Sequence, residues 1–291
     1  MSSSIGADPV RIAVCVKWVP LRTEVDPLSG AAHHDPRSMG LSEADRAALE
    51  LGLSLAETFD GSVTVCCAGP SGAEAALREA LAAGAQRAVR VPLEGDDPSA
   101  LVAAALAPHV AGHDLVVCGD WSLDRGSGSV PAFLAAELGV AQALGLVGLA
   151  PLDEAGSALA AERRLDRGRR ELLEVPLPAV VSVEGSVATL RRASLAAVLA
   201  ARDTPIELAE GPVPSPRSLR TGVVVSGRGP YRPRARFLAD AHAAPSASAR
   251  DRILALTGAL VDRTPPRVIE AEPDEAAEAI VEQLRSWGYV E

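Results

Sequence analysis

Asp114–Leu138 reads DLVVCGDWSLDRGSGSVPAFLAAEL. Its opening apolar run, Leu115-Val116-Val117-Cys118, is of the kind buried on both faces of a parallel sheet. Gly119, two acids, Arg125 and the small residues Gly126-Ser127-Gly128-Ser129 follow, and then an Ala/Leu-rich helix with Ser129 in the N-cap position and Pro131 in the first turn. A tight small-residue loop feeding a helix N-terminus leaves backbone N–H groups and the positive end of the helix dipole open to an anion such as phosphate. The segment is neither GxxxxGK[ST] nor GxGxxG, so it reads either as a nucleotide site or as a plain turn.

Outward from that segment, strands and helices alternate. Arg11–Val16 reads as the first buried strand, followed by a polar, Pro/Gly-containing loop over 21–40. A helix capped by Ser42, with Asp45 three residues on, comes next. Strands over 62–68 and 87–91, and helices over 74–83 and 101–110, complete the run up to Leu115. This alternation predicts an α/β fold: a Rossmann-like, doubly wound, mainly parallel sheet with a C-terminal extension. Ligands of such sheets lie beyond the carboxyl ends of the strands, where strand order reverses. Cys15-Val16-Lys17, Ala68-Gly69 and Gly119–Ser129 are all strand-end positions and are expected to converge on one ligand. Lys17 is the single lysine among 28 Lys and Arg residues; it is either a phosphate or carboxylate partner or an incidental surface residue.

Further along, 143–150 and 158–174 predict a hairpin or edge ribbon, 179–184 another buried strand, and 196–201 a short helix, after which 205–207 is expected to leave the core. Between Gly211 and Ala239 six arginines, Arg228, Arg232 and Arg234 among them, are interleaved with prolines and no acid. Such a segment buries little by itself, which makes it either an arm lying on a partner or a solvated linker. Helices over 249–262 and 274–287 and a strand over 267–271 close the chain. The expected domains are 1–207, the nucleotide-binding domain; 208–248, a basic Pro/Arg-rich arm; and 249–291, a small helical or α/β extension.

The chain is 291 residues long, 48% hydrophobic but only 3% aromatic, so Ala, Leu and Val must do the packing. Its net charge of -10 argues against nonspecific nucleic-acid binding. No apolar run approaches the length of a membrane span and Met1–Asp8 has no signal pattern; a soluble cytoplasmic protein without membrane insertion is expected. Cys15, Cys66, Cys67 and Cys118 lack the spacing of a zinc or iron–sulfur site and read as buried thiols. His109 and His113 lack a third ligand, so no metal is expected. No GxSxG, HExxH or CxxC motif marks a catalytic surface. The residues by themselves describe a nucleotide-binding α/β domain with a basic arm, not an enzyme.

Several segments together resemble the beta subunit of electron transfer flavoprotein. RIAVCVKWVP at 11–20 is similar to that family's first strand, DRAALE at 45–50 to its D-x-x-A-L-E helix, and Gly69-Pro70 with LREALAAGAQRA at 77–88 to its G-P…L-R-x-A-L-A-x-G-A-D-R-A signature. The resemblance covers about Val10 to Glu207. It implies a non-catalytic partner of an alpha subunit, with redox FAD held mainly by that chain and AMP, or a second FAD, held by the beta chain. Carried over residue by residue, the resemblance implies nucleotide positions at Cys15, Ser42 to Asp45, Ala68 and Asp124 to Pro131; together with Lys17 and Gly119 from the strand ends, the candidate cofactor-binding residues are Cys15, Lys17, Ser42, Asp45, Ala68, Gly119, Asp124, Arg125, Gly126, Ser127, Gly128, Ser129 and Val130. Here Asp124–Pro131 reads DRGSGSVP where the family usually has D-D-D-x-N-Q-T-G, so Ser hydroxyls and backbone amides replace the Asn, Gln and Thr side chains. Leu21 and Arg22 stand where an aromatic often reaches the flavin. Residues 191–199 look like the family's recognition loop, with Leu195 as the leucine that docks into a dehydrogenase; from the residues alone Leu195 reads equally as a core leucine opening a helix. The tail, with GPYRPRAR and QLRSWGY, looks like the branch encoded with mycofactocin, which implies a flavin- or mycofactocin-dependent dehydrogenase as electron donor. The alternative is a stand-alone adenine-nucleotide-binding regulator or adenylate-type enzyme of the same fold.

Overall fold

A computed structural model of the chain describes residues 9–26, 32–94, 97–153, 156–209 and 272–286. The chain divides into two units, residues 1–224 and 225–291. In the first, the described residues form strands β1 (Arg11–Val16), β2 (Trp18–Pro20), β3 (Glu24–Val25), β4 (Ala32–His33) and β5 (Met39–Leu41), then helix α1 (Glu43–Thr58). These are followed by β6 (Ser62–Gly69), α2 (Glu74–Ala83), β7 (Arg87–Pro92), α3 (Ser99–Val110), β8 (Leu115–Gly119) and α4 (Val130–Leu138). The remainder is β9 (Ala141–Pro151), β10 (Ala158–Arg164), β11 (Arg170–Pro176), β12 (Ala179–Val183), α5 (Leu195–Asp203) and β13 (Glu207–Leu208).

Nine strands form one sheet in the order β11-β10-β9-β12-β8-β1-β6-β7-β13. From β9 to β13 neighbouring strands are parallel, while β10 and β11 run antiparallel at one edge. From β1 the chain builds outward through β6 and β7, then returns to place β8 on the other side of β1. Strand order therefore reverses between β1 and β8, as in a doubly wound Rossmann-like fold.

Alternation along β1 separates two cores. Ile12, Val14 and Val16 pack with Ala47, Ala48 and Leu49 of α1 and Leu77 of α2, whereas Ala13 and Cys15 pack with Leu106 of α3 and Leu134 of α4. Alanine dominates the helix faces, which lets helices approach the sheet closely despite the scarcity of aromatics. All four cysteines are buried and free. Among the described residues no group of His, Cys, Asp or Glu can hold a metal ion, and no helix is long and apolar enough to cross a membrane.

Three sequence expectations change. The loop over 21–40 is not featureless: β2 pairs with β5 and β3 with β4 in two small antiparallel ribbons, whose two- or three-residue strands are too short to show a period. Residues 205–207 do not simply leave the core, because β13 joins the sheet edge beside β7 and the Ala209 N–H reaches the Arg90 carbonyl at 2.9 Å. The ribbon expected over 143–174 exists, but β9 also pairs in parallel with β12 and so belongs to the main sheet. The second unit contributes α6 (Pro273–Ser286) to the described residues. The expected helix over 249–262 and strand over 267–271 lie outside them.

Candidate functional site

At the β1/β8 switch point the carboxyl ends of the strands and the first turns of α1, α3 and α4 enclose a cleft of about 800 Å³, including the space open to solvent. Cys15 and Cys118, directly paired across β1 and β8, lie on its wall. Lys17, Asp45, Ala68 and Gly119 line it too, with Arg125, Ser127, Gly128, Ser129 and Val130 from the loop that enters α4. Three separated strand ends thus meet at one place, as the topology requires. Ser42, Asp124 and Gly126 are not on the wall.

The loop from Asp120 to Ser129 is held by backbone hydrogen bonds, one to β12 and one within the loop. The Asp120 N–H donates to the Val183 carbonyl at 3.0 Å and the Gly126 N–H to the Ser122 carbonyl at 2.9 Å. Gly128 has φ +58°, and a Cβ on it would stand 2.2 Å from the Asp120 carbonyl oxygen. Only glycine allows this turn. Ser129 occupies the N-cap position of α4, yet its backbone is already helical (φ -93°, ψ -15°), and its side chain makes no cap bond. Its hydroxyl instead lies 3.0 Å from that of Ser127. The expected side-chain cap is therefore absent, and Ser129 leaves the N-terminal amides of α4 uncapped.

Electrostatics organise the rim. Lys17 Nζ pairs with Asp124 Oδ2 at 2.5 Å. Burial opposes the Asp124 charge, but the hydrogen bonds from Lys17 and Ser122, the Lys17 charge and the Arg125 N–H together hold its carboxyl below the usual range. Arg125 reaches over to the Asp97 carbonyl oxygen and ties the loop before α3 to the loop before α4. Asp120 behaves in the opposite way: burial and the neighbouring Glu184 push its carboxyl up, and its buried Oδ1 has no hydrogen-bond partner among the described residues.

Asp45 is the deepest charge at the site, only 5% exposed. Ser42 caps α1, its Oγ accepting from the Asp45 N–H at 3.1 Å, and in turn donates to Asp45 Oδ2 at 3.0 Å. The Lys17 N–H also donates to Oδ2, at 3.3 Å. Burial outweighs these bonds and the Lys17 charge, and pushes the carboxyl up to about 7.

Sequence reading missed one wall. Leu93, Asp97 and Ser99 from the β7–α3 turn, with Val102 and Leu106 of α3, close the cleft on that side, and Trp121 and Ser122 stand on its loop. The rule that pointed to the ends of β1 and β8 applies equally to β7, so the turn at 93–99 was within its reach. The apolar α3 residues carry no such signal, since a wall leucine and a core leucine look alike in sequence.

Leu195 is 75% exposed, which excludes the core reading. It opens α5, whose cap Ser194 accepts from the Ala197 N–H at 3.1 Å, and Val198 and Leu199 beside it are also exposed. Arg78 of α2 donates to the Ala201 and Arg202 carbonyls at the other end of the helix. Arg191 pins the approach to α5: its backbone N–H and guanidinium bind Glu50 at 2.9 to 3.2 Å and its guanidinium also binds Glu57. Burial opposes the Glu50 charge, but the Arg191 bonds win and lower its carboxyl. The Glu50 side chain is mostly buried, so Arg191→Ala removes its counter-charge and leaves it only the backbone N–H at 191 and the Ser54 hydroxyl. A loss of about 1–3 kcal/mol in urea unfolding is expected, with a more protease-sensitive 185–194 segment. Arg228, Arg232 and Arg234 lie outside the described residues.

The family profile described as "Electron transfer flavoprotein domain" matches residues 33–213. The chain is 35% identical over 173 residues to "Electron transfer flavoprotein subunit beta" of Mycobacterium tuberculosis (strain ATCC 25618 / H37Rv), covering 56% of this chain and 63% of that protein. It is 31% identical over 209 residues to "Protein FixA" of Rhizobium meliloti (strain 1021), covering 68% of this chain and 71% of the relative. The chain thus spans less than two thirds of the mycobacterial relative's length. The cleft at the β1/β8 switch point and the capped, exposed α5 both lie within or beside the matched region, and the chain belongs to the beta-subunit branch of the electron transfer flavoprotein family.

Proposed function

We propose that this chain is the beta subunit of a heterodimeric electron transfer flavoprotein: it shapes a flavin site and docks a dehydrogenase, and does no bond chemistry itself. The FAD is shared with, and held mainly by, an alpha subunit. The cleft between β1 and β8 takes an adenine nucleotide, AMP or a second FAD, with the phosphate at the uncapped amides of α4 beside Arg125, Ser127 and Ser129. The arginines at 228, 232 and 234 grip the alpha subunit. The electron donor is a flavin- or mycofactocin-linked dehydrogenase, and the setting is cytoplasmic.

The observation that carries this reading is the apolar face of α5. Leu195, Val198 and Leu199 are held in the open on a helix capped at one end by Ser194 and tied at the other by Arg78. Exposed leucines on a fixed element suit a partner that buries them.

Co-expression with an alpha subunit should give a yellow complex whose flavin is reduced by the donor dehydrogenase. Burying one leucine contributes about 1.5–3 kcal/mol, so Leu195→Ala should slow that reduction by about 10- to 100-fold at limiting dehydrogenase, with flavin content unchanged. A stable monomer that ignores the alpha chain overturns the proposal. Nucleotide turnover by the isolated chain would favour the stand-alone enzyme instead.

A further inference from the structure

The chain uses its few aromatic residues for packing, with one exception. Of the four aromatic residues among those described, Trp18 and Phe59 pack against one core and Phe133 against the other. Trp121 belongs to neither core and is 49% exposed. Among the described residues it is also the one aromatic on the wall of the cleft. In a protein whose cores are filled with Ala, Leu and Val, an indole left half in solvent forgoes a large apolar burial, which a ligand can recover.

The loop holds Trp121 in place from both sides. Before it, the Asp120 N–H donates to the Val183 carbonyl at 3.0 Å; after it, the Ser122 carbonyl accepts from the Gly126 N–H at 2.9 Å. The ring edge lies beside Gly126, where a Cβ would stand 3.8 Å from Trp121 Cε3. A side chain fixed in this way loses little freedom when a ligand covers it.

The rest of the wall suits a flat, largely apolar ring. Leu93 of the β7–α3 turn and Val102 and Leu106 of α3 line the cleft, and the bond from Arg125 to the Asp97 carbonyl ties that side to the loop carrying Trp121. Further along the same loop come Arg125, Ser127 and Ser129 and the uncapped start of α4. One loop thus supplies an aromatic face and, a few residues later, an anion site. Aromatic side chains hold bases by dispersion and offset stacking, with no need of hydrogen bonds to the base edge.

We infer that Trp121 is the base platform of the cleft: its indole stacks on the adenine ring of the nucleotide whose phosphate sits at the start of α4. The inference rests on the nucleotide reading of the cleft. It requires a flat ring at 121, which Phe retains and Leu does not.

Titration of AMP and of FAD, which share the adenylate half, into the full 291-residue chain tests this through binding heat and indole emission. Trp121→Ala and Trp121→Leu should each weaken binding about 10- to 100-fold, and Trp121→Phe by no more than about 3-fold. Bound AMP should quench part of the wild-type emission but not the emission of Trp18 and Trp287 that remains in Trp121→Phe. Ligand-free variants should melt within about 2 °C of wild type, because the ring is half exposed and outside both cores. Unchanged affinity in Trp121→Ala or Trp121→Leu, or bound AMP that leaves the wild-type emission untouched, overturns the inference and leaves the nucleotide reading standing. Equal losses in all three variants with a lowered melting temperature also overturn it, since the ring then serves only to hold the loop. Absence of binding by both AMP and FAD overturns the nucleotide reading and the inference with it.

Discussion

The ligand-free chain should be more stable at pH 5.5 than at pH 8 through Asp45, and Asp45→Asn should remove most of that difference. Burial raises the Asp45 carboxyl from 3.8 to about 7. Between those values the folded chain keeps a proton that the unfolded chain has released, so the contribution of this group is favourable at low pH and is lost as pH climbs through the window to about 7. Each pH unit inside the window is worth about 1.4 kcal/mol, which makes the change from pH 5.5 to pH 8 about 2 kcal/mol. Asp120, raised by burial and by Glu184, adds in the same direction. Asn at 45 can keep the bonds from Ser42 and Lys17 through its carbonyl while removing the buried charge. Urea unfolding of wild type and Asp45→Asn at both pH values reads the effect; a variant less stable than wild type at pH 8 would refute it.

Gly128→Val should cost about 3 kcal/mol or more and abolish nucleotide binding. Two penalties coincide there: a branched side chain is forced to φ +58°, and its Cβ would sit 2.2 Å from the Asp120 carbonyl oxygen, which is backbone and cannot swing away. Relief requires the loop to move off the start of α4, the place where the anion is to be held. Gly139→Ala separates the two causes. Gly139 has φ +69° at the end of α4, but a Cβ there meets nothing within 4 Å. Only the conformational cost remains, about 1 kcal/mol, and nucleotide binding should survive. Thermal melts paired with AMP titration distinguish the variants, and equal losses for both would show that the Asp120 contact is not what matters.

Much of the fold was legible because its signals are local. Apolar runs such as Arg11–Val16 and Leu115–Gly119, the Ser42 cap and the Gly/Pro punctuation each act within a few residues, and their alternation leaves few topologies open. The ribbons at β2–β5 and β3–β4 escaped because two or three residues carry no period. For the cleft, the strand-end rule named Cys15, Lys17, Ala68 and the 119–129 loop without knowing which strands are neighbours. It did not reach the α3 wall, whose residues are chemically those of any core.

By itself the sequence determined the α/β class, the order of strands and helices, and the small-residue loop leading into α4, because each depends on interactions between residues close in the chain. Only the tertiary structure decided that Leu195 stands in the open, that Ser129 turns to Ser127 rather than capping its helix, and that the Asp45 carboxyl is buried against Gly119. Exposure and burial are set by what distant segments bring alongside a residue. The same leucine or aspartate letter is compatible with either until the sheet has closed around it.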